Sequence, residues 1–298
     1  MKINPPSEFS ILAILWGGSF LLVLRVVDAF DWAGAVSVRA LIASLSLYLL
    51  AKISKRTLDF SVGALPFLIS GTTTVAIQLI GLSFAVPRIG TAMTAIFVGS
   101  IPLYSALIGR LLNIEKLPSF GYFGLALGFL GIALLVGFPK GSASKEYLLG
   151  IVVAVIGCIS AAFGSNFSKM KMSSVGTWEQ VIGAFFFGGL LTAPLLIFVP
   201  FQRTPTAGDW LNITALAVLC SSLCYAIYFK LVADIGATRA ISVEFLVTVV
   251  AVLIGALYLH EDISLVQVLG GSLVIIGCIL ILDLFGIGKR LPRPVNLR

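Results

Sequence analysis

The stretch GTAMTAIFVGSIPLYSALIGRLLNIE, residues 90–115, returns later in the chain as GATRAISVEFLVTVVAVLIGALYLHE, residues 236–261. A constant offset of 146 aligns Gly90 with Gly236, Leu107-Ile108-Gly109 with Leu253-Ile254-Gly255, Leu111 with Leu257 and Glu115 with Glu261. The match continues without a gap through Gly124 and Gly270, Leu127 and Leu273, and Gly131 and Gly277. Apolar sequence yields chance leucines readily, but an ordered set of glycines with a closing glutamate is harder to obtain by accident. A weaker pair, Trp16-Gly17-Gly18-Ser19-Phe20 and Phe163-Gly164-Ser165-Asn166-Phe167, stands at offset 147. The chain therefore reads as a duplication, with a first repeat over 9–138, a second over 147–285 and a basic tail over 286–298.

Around these repeats the composition is that of a chain in lipid. Hydrophobic residues make up 59% and charged residues 11%, against about 25% charged in a soluble domain, and the mean hydropathy is +1.09. Apolar runs long enough to cross a bilayer fall at about 9–27, 33–51, 62–83, 90–112, 120–138, 147–168, 176–199, 211–231, 240–259 and 264–285. The expected fold class is thus an all-α membrane protein of ten transmembrane helices in two five-helix repeats. The first run is followed almost at once by a second and has no small-residue cleavage site, so it reads as a span and not as a signal peptide.

Basic residues set the expected orientation. The N-terminus, the even-numbered loops and the C-terminal tail hold 14 of them, and the odd-numbered loops hold four: Arg88, Lys140, Lys145 and Arg203. By the positive-inside rule both termini lie in the cytoplasm, which requires an even number of spans. Five spans per repeat then invert the second copy relative to the first, placing the landmarks Glu115 and Glu261 at opposite membrane surfaces. Inverted repeats are a frequent architecture of secondary transporters, whose halves exchange inward- and outward-open packings around a midplane site.

Other classes of function find little support. His260 is the only histidine, and neither a metal-ligand spacing nor a nucleophile elbow accompanies it. The four cysteines, Cys158, Cys220, Cys224 and Cys278, all lie in apolar runs, where packing is their ordinary role. No Walker loop implies ATP, and the net charge of +7 is scattered over short loops instead of forming a basic face for nucleic acid. No cofactor or metal is expected; the partners are a small-molecule substrate and the bilayer, with the chain a monomer or weak homodimer.

Charged groups inside spans carry the most information, because lipid tolerates them only when they face protein or water. Arg39 is deep in the second span, Glu244 is about one turn into the ninth and Glu179 is early in the seventh. An anionic or zwitterionic solute could place its carboxylate on Arg39 and its amine on Glu244 or Glu179; the competing reading pairs Arg39 internally and leaves the two glutamates near the interface. Thr74 and Gln78 stand four apart and share a helical face. Tyr104, Asn166 and Tyr225 add polar atoms, and Trp16 adds an aromatic wall, although helix–helix hydrogen bonds would use the same residue types. A carboxylate such as Glu244 is also a candidate proton carrier, so proton coupling and uncoupled facilitation both stay open. Pro102 marks a bend in the fourth span, and Thr248, its repeat equivalent, promises a gentler one. Gly121, Gly124, Gly128 and Gly131 line one face of the fifth span, where another backbone can approach closely.

These motifs resemble the EamA-type branch of the drug/metabolite transporter superfamily. The resemblance rests on Trp16-Gly17 with Ser19-Phe20, Arg39 within SVRALIA, GLSFAVPRIGTAMTAIF (81–97), the Ile101-Pro102 and Leu107-Ile108-Gly109 elements before Glu115, YAIYFKLVADIGATRA (225–240) and AVLIGALYLHE (251–261). It covers about 9–285 and implies a ten-helix inner-membrane carrier that exports a metabolite, with amino acids and related compounds the common cargo. The family's helix-four proline is present as Pro102 but replaced by Thr248 in the second copy. The alternatives are a drug or nucleoside carrier of the same fold, or a membrane scaffold or sensor.

Overall fold

The computed structural model describes residues 5–113, 119–137, 144–235 and 243–281, and no strand occurs among them. Helices α1 (Pro5–Ile53), α2 (Ala64–Ile89), α3 (Thr91–Leu111), α4 (Ser119–Gly137), α5 (Lys145–Lys171), α6 (Thr177–Ile197), α7 (residues 207–235), α8 (Val243–Leu257) and α9 (Leu265–Ile281) follow one another in the described residues. Six of them, α1, α2, α3, α5, α6 and α7, are long and apolar enough to cross a membrane, and α4, α8 and α9 are shorter apolar helices. Helix is what such sequence must form in lipid, where every backbone donor and acceptor has to be satisfied within the segment.

A straight α1 of 49 residues would reach about 74 Å, more than twice a hydrocarbon core of about 30 Å. It is broken at Asp31, whose backbone takes φ 56°, ψ 173°. The Asp31 carboxylate accepts from Trp32 N–H at 2.5 Å and from the Gln202 side-chain amide, while Gln202 N–H donates to Ala29 O at 3.0 Å. The two arms, residues 5–30 and 32–53, lie side by side. Trp16 Nε1–H donates to Cys220 O at 2.8 Å and Arg39 Nε–H to Ser221 Oγ at 2.9 Å, so residues from different arms reach adjacent positions of α7.

Two helices carry a π segment: Gly71–Ile77 in α2 and Leu216–Leu223 in α7. Shifting the first by 146 gives 217–223, so the widened turns occupy equivalent places in the two repeats. The paired bend residues differ, as their chemistry dictates. Helix α3 is interrupted at Ser100 (φ −87°, ψ −6°), just before Pro102, whereas α8 runs unbroken past Thr248. The Thr248 hydroxyl stays in hydrogen-bond reach of Glu244 O at 2.9 Å and of Ala95 O at 3.3 Å, tying α8 to α3.

The glycine face of α4 packs on α9. A Cβ at Gly124 would meet Gly277 O at 2.6 Å, and a Cβ at Gly131 would meet Gly270 O at 2.6 Å. The partners run antiparallel and cross over: the repeat equivalent of Gly124 is Gly270, yet Gly124 touches Gly277, the equivalent of Gly131. Crosswise pairing of equivalent residues is what a two-fold axis between two similar units produces.

Polar contacts between helix ends sort into two groups. At one end Arg203 pairs with Asp28 and Asp209, Arg88 with Glu146 and Arg25 with Tyr258. Hydrogen bonds donated to Asp209 and Asp28 hold the Arg203 guanidinium above its usual pKa. At the other end Arg56 stacks on Trp178 at 4.6 Å, and Asp59 N–H donates to Glu179 at 3.2 Å. Among these contacts none joins an odd-numbered loop to an even-numbered one.

Candidate functional site

The site forms where the two arms of α1 meet the π segment of α7. Arg39 is only 4% exposed. Its Nε–H donates to Ser221 Oγ, its Nη1 is buried with no hydrogen-bond partner, and among the described residues no carboxylate forms an ion pair with it. Of the internal pairing weighed for Arg39, a helix-to-helix hydrogen bond to Ser221 is present, and an ion pair with a carboxylate is absent among the described residues. A buried charge left without a partner costs several kcal/mol, so the open edge of the guanidinium is suited to an anionic group.

An aromatic cluster lies beside this cation through Tyr225, one helical turn beyond Ser221, and α8, which carries Glu244, packs on α1. The Trp16 ring lies 5.5 Å from both Tyr225 and Tyr228, at interplanar angles of 71° and 48°, and Phe185 lies 5.3 Å from Tyr225 in an edge-to-face contact. Both the Arg39 guanidinium and the Glu244 carboxylate are within electrostatic reach of Tyr225, and Glu244 also acts on Tyr228 and Cys158. Trp16, Arg39, Tyr225 and Glu244 thus come together, drawn from α1, α7 and α8.

The remaining candidates lie elsewhere. The Thr74 hydroxyl donates to Ser70 O at 2.7 Å and its methyl carbon packs toward Gly164, while Gln78 lines a small cavity with Thr94, Phe97, Ile101, Gly157 and Cys158. Both lie against α5, Thr74 opposite Gly164 and Gln78 beside Gly157, and neither hydrogen-bonds Arg39 among the described residues. The cavity measures about 10 Å³, room for about one water, and is too small for a metabolite. Tyr104 packs on Phe129 at 5.8 Å in the core between α3 and α4. Asn166 directs its amide at Ser105 O, Ser105 Oγ and Ala162 O at 2.9–3.1 Å, locking α5 to α3. Glu179 is held at the helix end by Asp59 N–H, away from Arg39. Ser221 joins the site unannounced, since a serine pair in an apolar run, Ser221-Ser222, has an ordinary role in helix packing; the repeat alignment marks Ser221, for the equivalent position is Val75.

Of the two landmark glutamates, Glu115 lies outside the described residues. Glu261 caps α3: its carboxylate accepts from Thr91 N–H and Thr91 Oγ–H at 2.7 Å each and from Ala92 N–H at 3.0 Å. Gly90, at φ 85°, and Gly255 leave room for it, since a Cβ on either would stand 3.2 Å or 2.8 Å from the carboxylate. Removing such a cap costs about 1–2 kcal/mol. Glu261→Ala is expected to lower the melting temperature of the detergent-purified protein, with Glu261→Gln in between.

Apolar helices of spanning length around a buried, charged centre define an integral membrane protein. The comparison with known proteins makes it more particular. The EamA-like transporter family matches residues 9–137 and again 148–283; the chain belongs to that family. Similar proteins include the uncharacterized transporter YoaV of Bacillus subtilis, 22% identical over 89% of this chain and 92% of its own length. The uncharacterized inner membrane transporter YedA of Escherichia coli K12 is 24% identical over 91% and 88%, and protein PecM of Dickeya dadantii is 24% identical over 93% and 91%. A protein of known crystal structure superposes with a TM-score of 0.67 over 93% of this chain and 95% of its own, at 16% identity, a likeness of fold alone.

Proposed function

We propose that the chain is a secondary carrier that exports a small zwitterionic metabolite, an amino acid or a close relative, across the inner membrane. The observation that carries this reading is Arg39, buried with Nη1 unpartnered and no carboxylate paired with it. The solute carboxylate sits on Arg39, its ammonium group meets Glu244, and Trp16, Tyr225 and Tyr228 form the wall between them. The two arms of α1 counted separately bring the helices to ten, and the crosswise glycine seam supports an inverted pair of five-helix halves. Movement is alternating access between those halves, with the closed packing seen here an intermediate in it. The loop contacts and the basic residues of the even-numbered loops support a cytoplasmic location for both termini. Glu244 is the group through which protons could be coupled to export, and the carrier works as a monomer or weak homodimer.

A counterflow screen in proteoliposomes with labelled amino acids, nucleosides and cationic drugs tests this. Accumulation of an amino acid is expected, together with weaker binding in Glu244→Gln by about tenfold, the effect of losing one charged contact. Accumulation of a cationic drug alone would leave the aromatic wall and Glu244 as the site and remove Arg39 from it. No accumulation by correctly inserted protein would sink the carrier reading.

A further inference from the structure

We propose that Ser221 is a positioning residue for the solute, acting through Arg39. The inference rests on the reading above in which Arg39 receives the carboxylate. A guanidinium offers a carboxylate two edges, and Ser221 Oγ takes the Nε side at 2.9 Å. The edge formed by the two terminal nitrogens is left, with Nη1 unpartnered. The orientation of the serine is set in turn by the π segment. Its hydroxyl proton points to Leu216 O, five residues back, at 3.4 Å, which leaves a lone pair for the Nε–H. In the same segment Ser222 Oγ also reaches five residues back, to Ala217 O at 3.3 Å, whereas Thr72, Thr73 and Thr74, at the start of the first repeat's π segment, donate to Leu68, Ile69 and Ser70, which precede that segment, at 2.7–2.8 Å.

The rest of the π segment is fixed against the second arm of α1, so the serine has a firm base. Ser222 Oγ donates to Ala43 O at 2.9 Å and lies 2.8 Å from Ser46 Oγ. Comparison of the two repeats argues against a purely architectural role for the pair. The positions equivalent to Ser221 and Arg39 are Val75, at offset 146, and Phe186, at offset 147. The first repeat also contains a π segment, at Gly71–Ile77, with no such polar pair beside it. Widened helix geometry therefore does not require Arg39 and Ser221, whose pairing across the two halves has no counterpart at the equivalent Phe186 and Val75.

The test uses the full chain in proteoliposomes, with a tritiated mixture of the twenty common amino acids to find the exchanged species and its carboxamide as competitor. Ser221→Ala is expected to raise KM for the amino acid about tenfold, the effect of one charge-assisted hydrogen bond, with the maximal rate within about twofold. Competition by the carboxamide, which has no carboxylate to orient, should be unchanged, and Ser221→Thr should restore the KM. If Ser221→Thr does not elute as folded protein, the ratio of amino-acid to carboxamide affinity in Ser221→Ala decides alone. Equal weakening of both compounds, or a lower rate with unchanged KM, would show that Ser221 only supports the helix and overturn the proposal while sparing the carrier reading. No exchange of any amino acid by the wild-type protein would defeat both, and that control separates the two failures.

Discussion

Arg39→Gln is expected to abolish exchange of the amino-acid substrate, with affinity falling by about a hundredfold or more. Truncating one partner of a buried, hydrogen-bonded charge contact costs about 2–5 kcal/mol, and ten times in affinity corresponds to about 1.4 kcal/mol. The folded protein should survive the change. The guanidinium has no internal ion pair among the described residues, and glutamine, being neutral, removes a buried charge whose counterpart is absent. The melting temperature in detergent is therefore expected to stay level or rise while transport is lost. Arg39→Lys should recover little, because an ammonium cannot give Nε–H to Ser221 and still present a two-pronged edge. The measurement is paired counterflow and thermal melting on the same preparations. Lost transport with an equally large loss of stability would assign Arg39 to the architecture instead.

The second large effect concerns the α4–α9 seam. Gly277→Ala should destabilise the protein by about 1–3 kcal/mol, the range for overpacking, because the added carbon would stand 2.6 Å from Gly124 O and 2.8 Å from Gly128 N. Those are backbone atoms and cannot swing aside as the end of a side chain can. Gly18→Ala is the matched control: nothing lies within 4 Å of a Cβ there. Alanine favours helix over glycine by about 1 kcal/mol, so that variant should be neutral or slightly stabilised. The same chemical change is expected to act with opposite sign at two helical glycines, which thermal melting of the two purified variants reads directly. Equal melting temperatures would mean that the seam yields easily.

Much of the architecture could be read before any coordinates. The 3-4-3 glycines of α4 announced a close helix contact, since small residues at helical spacing have few other uses in an apolar helix. The DAFDW break, residues 28–32, marked the reversal that Asp31 makes. Of the candidate site, Arg39, Trp16, Tyr225 and Glu244 come together, because charge and bulky aromatics inside a span have to be accounted for by packing. Thr74 and Gln78 pack against α5 instead of joining Arg39, which spacing could not reveal, because which helix a polar face meets depends on neighbours distant in sequence. The role of Glu261 was hidden for a similar reason. Its partners are about 170 residues away, and a glutamate after a span looks alike whether it meets water or closes another helix.

The crossed glycine contacts have a further meaning for movement. In the proposed exchange, each half takes up the conformation of the other, and every contact is replaced by its counterpart. The contact of Gly124 with Gly277 is replaced by that of Gly270 with Gly131, which is already present, a Cβ at Gly270 standing 3.1 Å from Gly131 O. The interface maps onto itself, so it neither opens nor closes as the rest of the bundle rearranges. Helices α4 and α9 are thus suited to serve as an axle, and the work of switching falls on the helices that hold Arg39, Ser221 and Glu244.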